Sequence, residues 1–200
     1  TLDIRFNVIN QSVDISDIEP EEDNNNNEQE LNYDFEINIE HPHNRIVFGA
    51  PGTEKSNRLE NDKVVFGQNF ERVTFHPNYS YAQFVGTYKP VPVKEIVNGV
   101  ETTTIIYKYV PGPFMRTYVK AMKSIKSGRP IPFLLLIEEI NRANVAAVFG
   151  DVFQLLDRAN GQSEYEIETS EDMRAYLAEE LKGKESDYER IRIPKNMYLW

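Results

Sequence analysis

The stretch Gly49-Ala50-Pro51-Gly52-Thr53-Glu54-Lys55-Ser56 decides how the rest of this sequence is interpreted. It matches the phosphate-binding pattern G-x-x-x-x-G-K-[ST], except that Glu54 stands in place of the second glycine. In such a loop, backbone N–H groups point at the phosphates, the lysine bridges the terminal phosphates and the hydroxyl group binds magnesium. Lys55 and Ser56 are of the required types. The octet therefore predicts a nucleotide-binding loop, with Ser56 as a magnesium ligand.

Glu54 is the one departure from this pattern. A glycine normally precedes the lysine because the backbone closes tightly on the phosphate there. Glutamate adds a side chain and places a negative charge next to an anion. The same eight residues therefore predict nucleotide binding and predict that it is weakened.

The surroundings of the octet have the order strand, loop, helix, which the motif requires. The apolar run Arg45-Ile46-Val47-Phe48 is typical of a buried parallel strand, and Ser56-Asn57-Arg58-Leu59 is suited to open a helix. A Gly/Pro turn that binds no ligand is the alternative interpretation.

A second motif follows further along the chain. The apolar run Phe133-Leu134-Leu135-Leu136-Ile137 ends in Glu138 and Glu139. A carboxylate at the end of a buried strand can hold magnesium, and its neighbour can polarise the attacking water. We expect Glu138 in the first role, although it is one methylene longer than the usual aspartate, and Glu139 in the second. For the two acids alone, a solvated strand-to-helix turn is the alternative.

Several stretches together resemble the AAA+ domain of McrB-type proteins, the NTP-hydrolysing motor subunits of modification-dependent restriction systems. The resemblance covers about residues 45 to 200, and the most specific part is Glu139-Ile140-Asn141-Arg142-Ala143-Asn144. The other stretches are Phe48-Gly49-Ala50-Pro51-Gly52-Thr53, Val73-Thr74-Phe75-His76-Pro77-Asn78-Tyr79-Ser80-Tyr81, Phe84-Val85-Gly86 and Val148-Phe149-Gly150-Asp151-Val152-Phe153-Gln154-Leu155-Leu156-Asp157.

The resemblance implies GTP or ATP as ligand with Mg²⁺, and a catalytic group made of Glu139, Asn141 and Arg142. It implies a homo-oligomeric, hexameric ring, a McrC-like nuclease subunit as partner and contact with DNA through the complex. Family members continue past the strand that here ends at Trp200 into a Thr-Met-Asn segment, an arginine finger and a helical lid. We therefore expect a fragment, truncated before the sensor and lid regions, that does not hydrolyse nucleotide alone.

Two other functions remain open. One is a degenerate, non-hydrolysing AAA+ scaffold or regulatory module, which Glu54 and Glu138 favour. The other is an AAA+ remodelling chaperone of the MoxR type, whose phosphate loop and acidic strand look similar. The block from Val73 to Tyr81 and the stretch Asn141-Arg142-Ala143-Asn144 favour the restriction branch.

Composition predicts a cytoplasmic globular domain with an unusual N-terminal arm. The chain has no cysteine for a disulfide framework, and no signal peptide or long apolar span that would indicate a membrane. Its three histidines lack a zinc-ligand spacing. Of the net charge of −10, residues 1 to 44 carry twelve acids and one base. We expect this extension to contain two half-buried strands, at residues 2 to 8 and 33 to 39, and a flexible acidic segment near residues 14 to 30.

The predicted fold is α/β: a P-loop AAA+ three-layer sandwich over residues 45 to 200. Its parallel sheet is expected from residues 45 to 48, 72 to 75, 133 to 137 and 195 to 200, with helices on both faces. Asn98-Gly99 predicts a hairpin insertion, which either protrudes or covers the sheet edge. Residues 114 to 126 predict a helix whose Lys120, Lys123 and Lys126 form a solvated basic ridge or meet DNA or a neighbouring subunit. A further helix is expected to bury one stripe, formed by Val145, Val148, Phe149, Val152, Leu155 and Leu156.

Overall fold

The computed structural model describes residues 37, 39 to 49, 55 to 97 and 100 to 200, apart from the side chains of Lys55, Ser56 and Val97. These residues all belong to one compact unit, Leu31–Trp200. The predicted strand at residues 2 to 8, the predicted flexible segment near residues 14 to 30, loop residues 50 to 54 and the Asn98-Gly99 turn lie outside the described residues. The predicted boundary between residues 44 and 45 stays a prediction. Of the predicted strand at residues 33 to 39, only Ile37 and Ile39 are described, and they pack against the cluster that contains Trp200.

A three-stranded parallel sheet forms the centre of this unit, in the order β1 (Phe70–Thr74), β4 (Phe133–Glu138), β9 (Met197–Leu199). Beyond β9, Asn44 forms a parallel bridge with Leu199. The Arg45 N–H donates to the Leu199 carbonyl at 3.0 Å, and the Leu199 N–H donates to the His43 carbonyl at 2.8 Å. The α/β class and a central parallel sheet are therefore confirmed, with strands from three of the four expected segments; residues 45 to 48 form no strand, and the chain meets the sheet there through the Asn44 bridge and the Arg45 N–H.

The predicted burial of residues 45 to 48 is wrong for two of them. Ile46 is 74% exposed and Phe48 is 89% exposed. This segment meets the sheet at Asn44 and Arg45, and residues 46 to 48 form no strand. An apolar run alone does not show which of its residues pair with a neighbouring strand.

Helices cover both faces of the sheet. On one face, α1 (Lys55–Asp62) and the 3₁₀ turn Lys63–Phe66 contribute Leu59 and Phe66 to a cluster with Leu134, Leu136, Tyr198 and Trp200. The other face carries the larger core, to which the remaining helices contribute. They are α2 (Tyr81–Phe84), α3 (Pro113–Lys126), α4 (Val145–Phe149) and α5 (Glu171–Glu180), with 3₁₀ turns at Ile140–Arg142, Gly150–Leu156 and Glu185–Tyr188. Alternate residues of β4 serve the two faces, as a strand period of two requires.

Helix α3 confirms the predicted helix over residues 114 to 126. Pro113 begins it, where a missing N–H costs nothing, and Gly128 at φ +70° follows its end. The expected solvated ridge is present in part, since Lys120 and Lys126 are exposed and Lys123 is half-buried, but two of the three lysines also have partners within the chain. Lys123 pairs with Glu180 at 2.7 Å, and the Lys126 ammonium donates to the Leu181 carbonyl at 2.7 Å and to the Tyr188 hydroxyl at 2.9 Å. These lysines hold α3 against α5 and the chain that follows it.

The predicted apolar stripe from Val145 is buried, but the helix is shorter than expected. Gly150 has φ +54° and ends α4, and the chain continues as a 3₁₀ turn. The buried members of the stripe are Val148, Phe149, Val152 and Leu155.

The predicted hairpin is present, with β2 (Gly86–Val97) paired antiparallel to β3 (Val100–Pro111) over twelve residue pairs. It joins no third strand among the described residues, so the alternative in which it covers the sheet edge is wrong. Tyr109 anchors its base, because its ring packs against Tyr176 and its hydroxyl donates to the Val85 carbonyl at 3.2 Å. Two short antiparallel pairs complete the described fold: β5 (Arg158–Ala159) with β6 (Gln162–Ser163), and β7 (Ile167–Glu168) with β8 (Arg190–Ile191).

A half-buried arginine connects the sheet edge to the loops around it. The Arg158 guanidinium donates to the Asn44 side-chain oxygen at 3.2 Å, to the Met197 carbonyl at 3.1 Å and to the Ile193 carbonyl at 3.2 Å. Burial lowers the pKa of Arg158 to about 10. The charge is thus held by neutral oxygens, which keeps the segment before the octet in place beside β9.

Arg158→Ala should lower the free energy of unfolding by about 3 kcal/mol, because it leaves several buried acceptors without a donor and opens a cavity. Urea unfolding followed by circular dichroism measures the loss. Arg190→Ala is the matched control. Arg190 is exposed and its guanidinium lies 3.6 Å from the Glu168 carboxylate, so its removal should lower the free energy of unfolding by less than about 1 kcal/mol. Equal losses in the two variants would contradict the role assigned to Arg158.

A histidine lies in the same edge segment. The His43 ring stacks on Tyr198, with 4.4 Å between centroids, and its Nε2 lies 2.8 Å from the Lys195 carbonyl. Because a carbonyl only accepts, Nε2 carries the hydrogen. Burial lowers the pKa of His43 below its ordinary value.

The folded state therefore binds a proton at His43 less readily than the unfolded state does. The stability that this neutral ring contributes should be complete well above pH 6.5 and should be lost as the pH falls below about 6.5. Unfolding free energies measured between pH 7.5 and pH 5 should decrease less steeply in His43→Gln, whose amide still donates a hydrogen bond. The same slope in both proteins would show that His43 does not couple to folding.

Candidate functional site

The carboxyl ends of the parallel strands bring the predicted site residues to one edge of the sheet. Segment 43 to 45, β9, β4 and β1 all run in the same direction, so their carboxyl ends share that edge. Segment 43 to 45 leads into the octet, and β4 ends in Glu138. The helix expected after the octet is present, since α1 begins at Lys55, whereas the strand expected before it is reduced to an isolated bridge at Asn44.

The octet itself is placed only at its two ends. Gly49 is exposed at the end of the described segment 39 to 49. Lys55 and Ser56 form the first turn of α1, and their side chains are not described. Ala50, Pro51, Gly52, Thr53 and Glu54 lie outside the described residues, so the phosphate-loop geometry stays a prediction.

The Glu138 carboxylate is held by two groups of β1. The Thr74 hydroxyl donates to Oε2 at 3.3 Å, and Arg72 Nη1 lies 3.7 Å from Oε1. Thr74 is the register partner of Glu138, and Arg72 lies two residues earlier on the same face. Arg72 also pairs with Glu60 of α1, so it bridges the helix and the acidic strand.

Sequence reasoning missed this arginine. The alternation along β1 shows that residues 72 and 74 share a face, but only the register with β4 shows which carboxylate they meet. A metal cation bound to the Glu138 carboxylate would compete with the Arg72 guanidinium for its oxygens. Because 3.7 Å is long for a charge-assisted hydrogen bond, the contact is a weak competitor.

Glu139 occupies an unusual backbone conformation, with φ 55° and ψ 36°. This left-handed region costs a residue with a β-carbon roughly 1–2 kcal/mol, and such strain is often found at functional sites. It turns the chain from β4 into the 3₁₀ turn Ile140–Arg142, where the Arg142 N–H donates to the Glu139 carbonyl at 2.9 Å. The turn leaves the Glu139 side chain exposed at the strand end, without a side-chain partner among the described residues.

Asn141 and Arg142 are exposed in that 3₁₀ turn. The Asn144 side chain accepts a hydrogen bond from the Ala147 N–H at 3.2 Å and caps α4, so its role is structural. The structure therefore gathers Glu138, Glu139, Asn141 and Arg142 at the tip of β4. Within the described ranges, no group of three His, Asp or Glu residues forms a metal site by itself.

A separate cleft of about 360 Å³ lies between β1, α2, the hairpin base and the start of α3. Arg116 crosses it, donating from Nε to Glu71 at 2.9 Å and from Nη1 to the Pro111 carbonyl at 2.6 Å. Arg72 and Lys89 also line the cleft, but none of the site residues predicted from the sequence does.

In the part of the chain that the structure describes, none of the helices has the length and apolar character that a membrane span requires.

Comparison with known proteins gives two relatives from restriction systems. The chain is 46% identical over 179 residues to the Type II restriction enzyme BsuMI component YdiS of Bacillus subtilis (strain 168), a match that covers 80% of the chain and 50% of that protein. It is 27% identical over 163 residues to the Type IV methyl-directed restriction enzyme EcoKMcrB subunit of Escherichia coli (strain K12), covering 78% of the chain and 29% of that protein. The chain is homologous to restriction-system components.

This finding confirms the restriction-system part of the resemblance. No family model matches the chain. The chain spans half the length of YdiS and less than a third of the McrB subunit. What those whole proteins do is therefore carried to this chain only as a proposal.

Glu139→Gly should raise the free energy of unfolding by about 1 kcal/mol, because glycine adopts the left-handed conformation without strain. Glu139→Ala is the matched control: it removes the same carboxylate but keeps a β-carbon, and should leave stability unchanged within about 0.5 kcal/mol. Thermal and urea unfolding measure both. A stabilisation of the same size in the alanine variant would mean that charge, and not backbone strain, is relieved.

Proposed function

We propose that this chain is the nucleotide-binding core of a McrB-like AAA+ motor that works in a restriction system. The observation that supports the proposal is the shared sheet edge: the segment leading into the octet and the tip of β4 with its carboxylates end on the same side. The similarity to the EcoKMcrB subunit supports the same proposal. The ligand is GTP or ATP with Mg²⁺.

In this proposal the octet Gly49 to Ser56 holds the phosphates through backbone N–H groups and the Lys55 ammonium. The Ser56 hydroxyl and the Glu138 carboxylate are the oxygen ligands for magnesium, which prefers such hard donors. Bound magnesium neutralises charge on the phosphate oxygens. The chemistry of these oxygen donors fits magnesium. The Glu138 carboxylate accepts a hydrogen bond from the Thr74 hydroxyl and lies at a long distance from the Arg72 guanidinium.

Glu139 is the base that orients and polarises the attacking water. Its exposed carboxylate has no side-chain partner among the described residues, which leaves its oxygens available to a ligand. Asn141 and Arg142 follow on the same turn and donate hydrogen bonds toward the phosphates or the water. This division of work keeps binding in the octet and chemistry at the tip of β4.

The partners follow from the kind of system. The relatives are a component of one restriction enzyme and a subunit of another. We propose a homo-oligomeric, hexameric ring in the cytoplasm, a McrC-like nuclease subunit bound to it and DNA contacted through the complex.

A non-hydrolysing scaffold is the second candidate. Glu54 places a carboxylate in the phosphate loop, and Arg72 contacts the carboxylate that magnesium needs. Both features oppose hydrolysis without opposing assembly. The MoxR-type alternative has no comparable support, because both relatives belong to restriction systems.

Titration with fluorescent GTP and ATP in the presence of Mg²⁺ tests the binding site. Glu54→Gly should bind nucleotide more tightly than the parent chain, by up to about a thousandfold. The substitution removes the repulsion between the Glu54 carboxylate and the phosphates, which is on the order of 4 kcal/mol. Adding Lys55→Ala to Glu54→Gly should abolish binding. Lys120→Ala, which removes an exposed lysine from α3, is the matched control and should bind like its parent.

Each outcome separates the possibilities. Absence of binding in Glu54→Gly, in a variant that unfolds like the parent chain, would contradict the nucleotide site. Equal affinities of Glu54→Gly and the parent would contradict the charge argument alone. Phosphate release is measured in a longer protein that includes the arginine finger and the helical lid: release that Glu139→Gln abolishes supports the motor, whereas tight binding without release in that longer protein supports the scaffold.

A further inference from the structure

The two outer edges of the β2–β3 hairpin differ in their hydrogen-bonding groups. Because proline has no N–H, Pro90 and Pro92 must lie where the N–H groups of β2 would point away from β3. Residues two apart in a strand point the same way. The outer edge of β2 therefore lacks two donors in its middle, and this protects it from pairing with another strand.

The outer edge of β3 has no such protection. The register partners of Pro90 and Pro92 are Tyr107 and Ile105. Residues directly opposite in an antiparallel pair have the same hydrogen-bonding orientation, so the N–H and C=O groups of Ile105 and Tyr107 also point outward. The two-residue repeat extends this row to Thr103. The hairpin joins no third strand among the described residues, so the row is open.

The side chains of β3 are also those of a strand that pairs. Residues 102 to 107 read Thr-Thr-Thr-Ile-Ile-Tyr, which are β-branched or aromatic and carry no charge. Ile105 is 66% exposed and Tyr107 is 63% exposed. Natural edge strands of this length are usually interrupted by charges, prolines or bulges, and β2 has that protection whereas β3 does not.

We propose that β3 pairs antiparallel with β3 of a second copy of this chain, around a two-fold axis at Thr104. The blocked β2 edge favours this occupant, because pairing of β3 with β2 of the next copy would build an open-ended array. With β2 closed by prolines, identical hairpins can associate only through β3, so association through this edge stops at two, and the hexameric ring proposed above would use other surfaces. The proposal rests on neither the octet nor the β4 carboxylates.

The composition of β3 selects the register. When the two-fold axis passes through Thr104, residues of one copy lie opposite residues of the other. The opposite pairs are Thr103 with Ile105, Thr102 with Ile106 and Glu101 with Tyr107. No charge then meets a like charge, and β-branched residues pair with one another. A shift toward the hairpin base would bring Glu101 of one copy opposite Tyr109, which is buried against Tyr176. A shift the other way would shorten the paired region.

Two proline variants of one cross-strand pair test the edge. Thr103 and Lys94 are register partners, and both have an outward N–H, so each proline removes one donor from one outer edge and none from within the hairpin. Sedimentation velocity over a concentration series measures association. The parent chain and Lys94→Pro should form dimers. Thr103→Pro should associate at least about tenfold more weakly, because it loses a hydrogen bond at the centre of the interface. Lys94→Pro also removes the exposed pair with Glu101, which contributes little.

A cysteine placed on the proposed axis tests the register. The chain has no cysteine, so Thr104→Cys introduces a single thiol. Thr104 would form a non-hydrogen-bonded pair with its copy, about 4.5 Å between Cα atoms, which suits a disulfide. Thr102→Cys is the matched control on the same strand and face, because its copy would lie roughly 13 Å away along the strand. Mild oxidation should join Thr104→Cys chains on a non-reducing gel and leave Thr102→Cys chains single.

Three results would overturn the proposal. One is a parent chain that stays monomeric up to its solubility limit. Another is equal association of Thr103→Pro and Lys94→Pro, which would assign any dimer to a different surface. The third is equal disulfide formation at residues 102 and 104, which would reject the register. Nucleotide titration is unaffected by these variants if the proposed function is correct, so the two proposals fail separately.

Discussion

The short strand β9 is the constraint on which the candidate site depends. Its three residues pair with β4 on one side, and Leu199 bonds to segment 43 to 45 on the other. The chain before the octet and the carboxylates of β4 have no direct pairing with each other among the described residues, so β9 is the strand that connects them. Trp200 strengthens this junction, since its N–H donates to the Leu135 carbonyl, its indole donates to the Pro42 carbonyl, and its carbonyl accepts from Ile137.

The support for this junction is mostly polar and lies at the sheet edge. Arg158 reaches Asn44 and Met197, His43 donates to Lys195, and Arg45 joins Asp62 of α1 at 2.7 Å. The Arg45 guanidinium lowers the pKa of Asp62, so that pair is charged over the physiological range. A hydrophobic cluster alone would allow a strand to slide, whereas these directional bonds fix its register. The position of segment 43 to 45, which leads into the octet, is therefore specified by hydrogen bonds more than by burial.

The sequence predicts those parts of the fold whose signals are local. Strand β4 follows from its apolar run, α3 from its 3.6-residue period between Pro113 and Gly128, and the hairpin from Asn98-Gly99 between alternating residues. The parts it does not predict depend on register or on contacts between distant elements. The exposure of Phe48 depends on which residues pair with β9, the contacts of Lys126 depend on the chain after α5, and the Arg72–Glu138 contact depends on the β1–β4 register. At the candidate site, the sequence provides the identity of Glu139 but not its left-handed backbone.

The stability of the isolated chain does not explain the length and exposed apolar surface of the hairpin. A two-stranded ribbon is marginal in water, because it has no second layer in which to bury its side chains. Here Tyr109 and the base residues near it fix only one end, while Ile96, Val100 and Ile105 remain exposed. The apolar surface at the tip therefore contributes little to folding of the isolated chain and makes aggregation more favourable. Prolines in the middle of β2 reduce that hazard without removing it, and because the proline of β3 lies at its end, at Pro111, the middle of β3 stays open to pair.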